Sequence, residues 1–265
     1  MSELPRVIEK GRLFKQKLAK GQNLTGAWSM LGSTRVAYIM ARAGLDYLLI
    51  DLEHGSGDYD TLAEQIRGLL SLDTAVMVRL PNHDIGGIKR ALDAGANALL
   101  FPMVDTPEQA AAIADAALYA PQGNRGVAIG AIAASDYGYL APDYFKMAND
   151  ALTILTQIES PNAVENVDQM VAVPGIDGFF VGPSDLSASL GVFRDFENPI
   201  FVSAFERVRT TVLAAGKYFA AMPFGATDTA ALNALGAQIA PGAADVAILR
   251  AGAEAVAKSK LGGSY

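Results

Sequence analysis

The amino-acid sequence predicts an α/β fold, a (β/α)8 TIM barrel that takes up residues 1–265 as a single domain. Three observations predict it: short apolar runs that read as buried strands, a segment of helical period after most of them, and glycines at the joints between helices and the following strands. The runs are Thr25–Ser29, Tyr47–Ile50, Ala75–Val78, Ala98–Phe101, Thr153–Ile158, Gly178–Val181, Tyr218–Ala221 and Gln238–Ala240, which makes eight.

Ahead of the first run, residues 1–22 read as an amphipathic helix. Val7, Ile8, Leu13, Phe14 and Leu18 lie among Lys and Arg residues, a pattern unlike a secretory h-region. Gly44, Gly95, Gly175, Gly216 and Gly236 each separate a helical segment from the next strand, where a left-handed residue ends a helix. Helix starts are marked by Ser33-Thr34, Asp58, Thr106-Pro107, Ser160-Pro161 and Thr227-Asp228, which offer capping oxygens or a first-turn proline. Regular alternation favours a barrel over a doubly wound open sheet, and no G-x-G-x-x-G follows the first strand. The one long irregular connection, Tyr119 to Asp150, is either a lid over a site or a surface insertion. Residues 243–265 read as a C-terminal helix and tail.

Composition narrows the function. Of the 265 residues 51% are hydrophobic, enough for one large core, and the net charge is -7. Excess carboxylates argue against nucleic acid or an anionic membrane as partner, and no stretch is long and apolar enough to span a bilayer. The chain has no Cys, which excludes disulfides, thiolate nucleophiles, iron–sulfur clusters and Cys-ligated zinc and fits a cytoplasmic protein. Chemistry on small molecules remains.

In a barrel, catalytic groups gather on the loops beyond the C-terminal ends of the strands. Here those ends carry Asp51, Glu53 and His54, then Arg79, then Gln157 and Glu159, then Asp185 after Gly182-Pro183-Ser184. Glu159 and Asp185 close successive strands, so their carboxylates can meet over the mouth. Oxygen ligands with no Cys and few His suit a hard divalent ion, Mg²⁺ or Mn²⁺, with Co²⁺ a third candidate. Each acid also has a plainer reading: Asp185 as a first-turn acid favoured by the helix dipole, Glu159 as an acid ahead of Pro161. His54 and Asp51 read as an Asp–His pair for proton transfer or as a loop histidine without a role, and the second reading suits His83 better. Arg79 either holds an oxygen on which negative charge develops or pairs with Asp51 or Glu53. Asp93, in the next helix, points away from its own mouth and reads as a solvated acid. Trp28 is a core aromatic or a pocket wall. No lysine stands at a strand end, as a Schiff-base mechanism requires, and Phe224-Gly225-Ala226-Thr227 is too short to mark a phosphate loop.

Gly26-Ala27-Trp28, Leu49-Ile50-Asp51-Leu52-Glu53-His54, Val78-Arg79, Lys89 to Ala96, Pro121-Gln122-Gly123-Asn124-Arg125-Gly126, Gln157-Ile158-Glu159 and Gly182 to Ser187 occur in that order. In these motifs the chain resembles the class II pyruvate aldolases of the HpcH/HpaI type, over nearly its whole length to about Gly242. The resemblance implies a divalent-metal-dependent aldolase that adds the pyruvate enolate reversibly to an aldehyde, giving a 4-hydroxy-2-oxo acid. It implies Glu159 and Asp185 as metal ligands, Arg79 on the keto oxygen, backbone amides around Gly182 to Ser184 for the carboxylate, and His54 with Asp51 for proton transfer. Trp28, Gln157, Phe180 and Pro183 complete the expected substrate contacts. It also implies a hexamer in which Asp93 approaches a neighbour's site and a C-terminal helix, Ala243–Lys258, is exchanged between subunits. Departures at Gly55-Ser56-Gly57-Asp58 and after Arg125 fall where the aldehyde would be selected, so its identity is not written in the sequence. Two rivals stand beside this reading. An acyl-CoA lyase on the same barrel should add a basic nucleotide-binding surface, which this acidic chain does not show. A non-catalytic metabolite-binding barrel should have lost at least one of His54, Arg79, Glu159 and Asp185.

Overall fold

In the computed structural model, which describes residues 4–261, each of the first seven apolar runs forms a strand within one residue of its expected bounds. They are β1 (Gly26–Ser29), β2 (Tyr47–Asp51), β3 (Ala75–Arg79), β4 (Ala98–Phe101), β5 (Thr153–Ile158), β6 (Gly178–Val181) and β7 (Tyr218–Ala221). Neighbours in sequence are neighbours in the sheet and every pairing is parallel, which removes the doubly wound alternative, whose strand order reverses at a switch point.

The eighth strand differs from expectation. The strand is β8 (Ala243–Ala244), paired with β1, whereas Gln238–Ala240 contributes only a single-residue bridge. Pro241 follows at once and has no N–H to extend a ladder. That bridge nonetheless joins the two ends of the sheet, since Ile239 pairs in parallel with both Leu24 and Ala220. The sheet therefore curls into a barrel-like ring.

Helices connect the strands: α1 (Arg6–Ala19), α2 (Thr34–Arg42), α3 (Tyr59–Gly68), α4 (Ile85–Ala94), α5 (Pro107–Ala117), α6 (Ala141–Ala151), α7 (Pro161–Met170), α8 (Pro183–Ser189), α9 (Pro199–Ala214), α10 (Thr229–Ala234) and α11 (Asp245–Leu261). The expected caps form: Ser33, Asp58, Thr106, Ser160 and Asp228 each accept a first-turn amide. Gly95 ends α4 at φ 112°, a conformation closed to most side chains.

The strand period of two sorts the side chains. Leu48, Ile50, Val76, Val78, Leu99, Phe101, Phe179 and Val181 face the helices in the main core. The alternate residues Tyr47, Leu49, Ala75, Met77, Leu155, Phe180, Ala220 and Ile239 fill the barrel interior, where Phe14 and Leu18 of α1 join them from the N-terminal end. Continuing that inward parity toward the C-terminal ends reaches Asp51, Arg79, Gln157, Glu159 and Met222. The site residues are thus the last layer of the barrel filling.

The connection from Tyr119 to Asp150 is not a lid. Ile132, Ala134, Tyr144 and Ala148 form a small core of their own with Tyr119 and Ile8 of α1, at the opposite end of the barrel from the mouth. Among the described residues no helix is long and apolar enough to cross a membrane. The C-terminal helix starts two residues later than expected, and residues 246–259 of it are all exposed, Val246, Ile248, Leu249 and Val256 included. The ends of the expected N-terminal helix and C-terminal tail, residues 1–3 and 262–265, lie outside the described residues.

Candidate active site

Parallel register places Asp51 of β2 directly opposite Arg79 of β3. The guanidinium makes a two-pronged contact with the aspartate, Nε to Oδ1 at 2.8 Å and Nη2 to Oδ2 at 2.7 Å, while Nη1 lies 2.9 Å from Glu53 Oε2. Its flat face lies over the Trp28 ring, 4.5 Å from the centroid. Trp28 is fixed in turn: its indole N–H donates to Met222 Sδ at 2.8 Å and its ring meets Phe180 edge to face. Two carboxylates and an aromatic face thus hold Arg79 in one orientation, as a preorganised cation requires.

On the opposite side, Glu159 is 4% exposed. Its Oε1 accepts the Met103 amide at 2.7 Å, and its Oε2 accepts Gln157 Nε2 at 2.8 Å. Burial is the main cause that pushes its carboxyl up to about 7, with the charges of Asp185 and Glu53 adding to the effect and Arg79 and the Met103 amide opposing it. Glu53 is also raised, chiefly by burial, although Arg79 works against the shift. Asp185 is exposed in the first turn of α8, close enough to add to both shifts. Gly182 closes the corner. A Cβ there would fall 2.6 Å from Glu159 Oε2, so any larger residue would push that carboxylate from its place.

A cleft of about 240 Å³ opens over these groups, lined by Trp28, Arg79, Gln157, Phe180, Pro183 and Asp185 among others. The expected residues Gly182 and Ser184 line it as well. Met30, Met222, Pro223 and Ala244 also line it and were not expected. Met222 was legible as the next inward position after Ala220. A larger hollow of about 390 Å³ around Lys15, Asn149 and Asp177 lies at the other end of the barrel, away from this chemistry.

Two expectations need correction. The His54 ring does not meet Asp51, whose carboxylate is taken by Arg79 and by the backbone amides of Glu53 and His54. The imidazole is largely solvent-exposed, and its nearest acid is Glu53, with Nε2 4.0 Å from Oε1. Not all backbone amides around Gly182 to Ser184 are available either. Pro183 has none, and Gly182 N–H goes to Ile158 O at 3.4 Å, which leaves the first-turn amide of Ser184. Asp93 lies in the last turn of α4, away from its own mouth, with Oδ1 2.7 Å from the buried guanidinium of Arg125.

Among the described residues no group of three or more His, Cys, Asp or Glu is assembled as a cation cage. The donor set still fits a hard cation: two carboxylates at one corner, one of them desolvated, and Gln157 Oε1 buried without a hydrogen-bond partner. Mg²⁺ is held by just such a small set of oxygens and keeps several of its waters.

Several known proteins similar to this sequence are named as aldolases. A hydroxypyruvate/pyruvate aldolase of Deinococcus radiodurans is 43% identical over 204 residues, 77% of this chain and 73% of that protein. A 5-keto-4-deoxy-D-glucarate aldolase of Escherichia fergusonii is 37% identical over 93% of this chain and 95% of its own. Relatives this similar, on a barrel with a clamped cation and paired acids at its mouth, make the chain an enzyme of the aldolase class, a carbon–carbon lyase. It belongs to the HpcH/HpaI aldolase/citrate lyase family, whose model matches residues 24–251. The fold agrees: a family member from Burkholderia cenocepacia J2315 superposes with a TM-score of 0.86 at 36% identity, covering 94% of this chain and 99% of that one.

Proposed function

We propose that this chain is a divalent-metal-dependent aldolase that adds the enolate of pyruvate, or of a close 2-oxo acid such as hydroxypyruvate, to an aldehyde and reverses that reaction. The observation that carries the reading is a buried, doubly hydrogen-bonded Glu159 near enough to Asp185 to feel its charge, beside a cleft that Asp185, Gln157 and a clamped Arg79 line. Glu159 and Asp185 would hold Mg²⁺, Mn²⁺ or Co²⁺. Such an ion supplies a Lewis acid that stabilises the enolate by several kcal/mol, on the order usual for metal catalysis. Arg79 faces the oxygen on which charge develops, and its clamps keep it from reorganising as the charge grows. The Ser184 amide receives the substrate carboxylate, Gln157 Oε1 is free to accept from a ligand hydroxyl or a water, and Trp28 and Phe180 keep the methyl carbon in an apolar wall. His54, exposed at the mouth beside Glu53, is the group placed to exchange protons with solvent. The small diffusible substrates suit a cytoplasmic enzyme.

The test is deuterium exchange into the methyl group of pyruvate, followed by NMR on protein stripped with EDTA and then given Mg²⁺ or Mn²⁺. Exchange should appear only with metal. Exchange that persists in EDTA would remove the metal from the reading, and no exchange in either state would remove the enolate chemistry.

The same reading includes an assembly. Beyond its buried first residue, Asp245, the C-terminal helix α11 is exposed over residues 246–259, apolar ones included, so we take it to seat on a neighbouring subunit, in a hexamer whose chains present Asp93 to adjacent sites. A chain ending at Val246 should fall to a smaller species in light scattering. An unchanged mass would sink the exchange.

A further inference from the structure

The turn after β4 holds the Met103 amide against Glu159, and Met103 has φ 49°, in the left-handed region that a residue with a side chain occupies at a cost. Something must hold it there. Its own side chain does not, being half exposed. The far end of the turn is fixed by Asn166 Nδ2, which donates to Asp105 O at 2.8 Å, and by Ser160 Oγ, which donates to the Asp105 carboxylate. At the near end, just past the β4–β5 pairing of Phe101 with Thr156, His83 Nε2 lies 2.6 Å from Pro102 O while its ring packs edge-on against Phe101. Since a carbonyl can only accept, the ring carries its proton on Nε2 in this arrangement.

We infer that His83 is a positioning residue for the cation corner: by donating to Pro102 O it fixes the left-handed turn that aims the Met103 amide at Glu159, and so sets how Glu159 presents its carboxylate. This rests on the proposed role of Glu159 as a metal ligand. His83 touches neither substrate nor ligand carboxylate and acts through two backbone groups. A histidine in a polar turn after Pro81-Asn82 thereby acquires a task.

Mn²⁺ titration of the intact protein, read by the loss of the free-ion EPR signal, tests it. His83→Phe keeps the aromatic edge on Phe101 and removes the donor; it should weaken Mn²⁺ binding by about fivefold, the equivalent of one hydrogen bond of about 1 kcal/mol. His83→Gln, which can bring an amide N–H to the same carbonyl, should recover most of that loss. Wild-type affinity in His83→Phe, or equal losses in both variants, would overturn the inference. In the unmodified protein, Mg²⁺ should shift the Met103 amide and His83 Nε2–H resonances together, and resonances that stay fixed would overturn it without any variant. A wild-type protein that takes up no Mn²⁺ would remove the metal reading itself, and this inference with it.

Discussion

Glu159→Gln should cut metal-dependent methyl exchange of pyruvate by about three orders of magnitude and abolish Mn²⁺ binding, with the barrel intact. The size follows from the several kcal/mol that a Lewis acid contributes to enolate formation, at 1.36 kcal/mol per decade. The fold should survive because the replacement is isosteric: the amide oxygen can still accept the Met103 N–H. The new amide nitrogen would face Gln157 Nε2, but Gln157 can rotate to offer its Oε1, now buried without a partner. The change also removes a buried carboxylate that Arg79 does not pair, since that guanidinium is committed to Asp51 and Glu53. A melting temperature at or above wild type, together with lost Mn²⁺ affinity, is therefore expected. Mn²⁺ bound as tightly as by wild type would show that Glu159 is not a ligand.

Arg79→Lys should lower kcat and kcat/KM together, by about a hundredfold to a thousandfold, the range seen when one preorganised donor to a developing oxyanion is lost. Lysine keeps the charge and loses the fork. It cannot reach Asp51 in two places, meet Glu53 and lie flat on Trp28 at once. Asp51 is fully buried, so weakening its partner should also destabilise the protein, by about 1–3 kcal/mol for buried polar groups left short of a donor. Denaturant unfolding measures that part, and steady-state kinetics on the folded fraction measures the rest. A variant that is destabilised but turns over at the wild-type rate would make Arg79 a structural strut, and a loss confined to KM would make it a ground-state binding group.

Much of this was legible in the sequence, and the parts that were not have physical causes. The first seven strands announce themselves because both faces are buried and the runs are mostly apolar. The eighth does not, because ring closure needs only the two bridges of Ile239, and a one-residue pairing has no periodic signature. Asp51, Arg79 and Glu159 could be placed at the mouth from strand ends alone. What those ends do to one another was left open: pairing of Arg79 with Asp51 or Glu53 was one of two readings, and the register of β2 on β3 realises it by setting the aspartate against the arginine, which takes it from His54. Met222 was within reach, since inward parity continues past Ala220, yet an apolar residue past a strand end carries no chemical flag. The left-handed turn at Met103 has no sequence mark at all, being a conformation imposed by its neighbours.

Asp245 gives the architecture one more consequence. It is the first residue of α11, and its buried carboxylate accepts the amides of Met30 and Leu31 as well as that of Val246. Met30 is part of the cleft wall. A single side chain therefore ties the root of the outward helix to the lining of the pocket, and with α11 seated on a neighbour the two become parts of one equilibrium. Under the proposed assembly, ligand occupancy and subunit association would be linked quantities, each changing the other by the same factor. Such coupling would need no second ligand site, only an aspartate at the start of a helix.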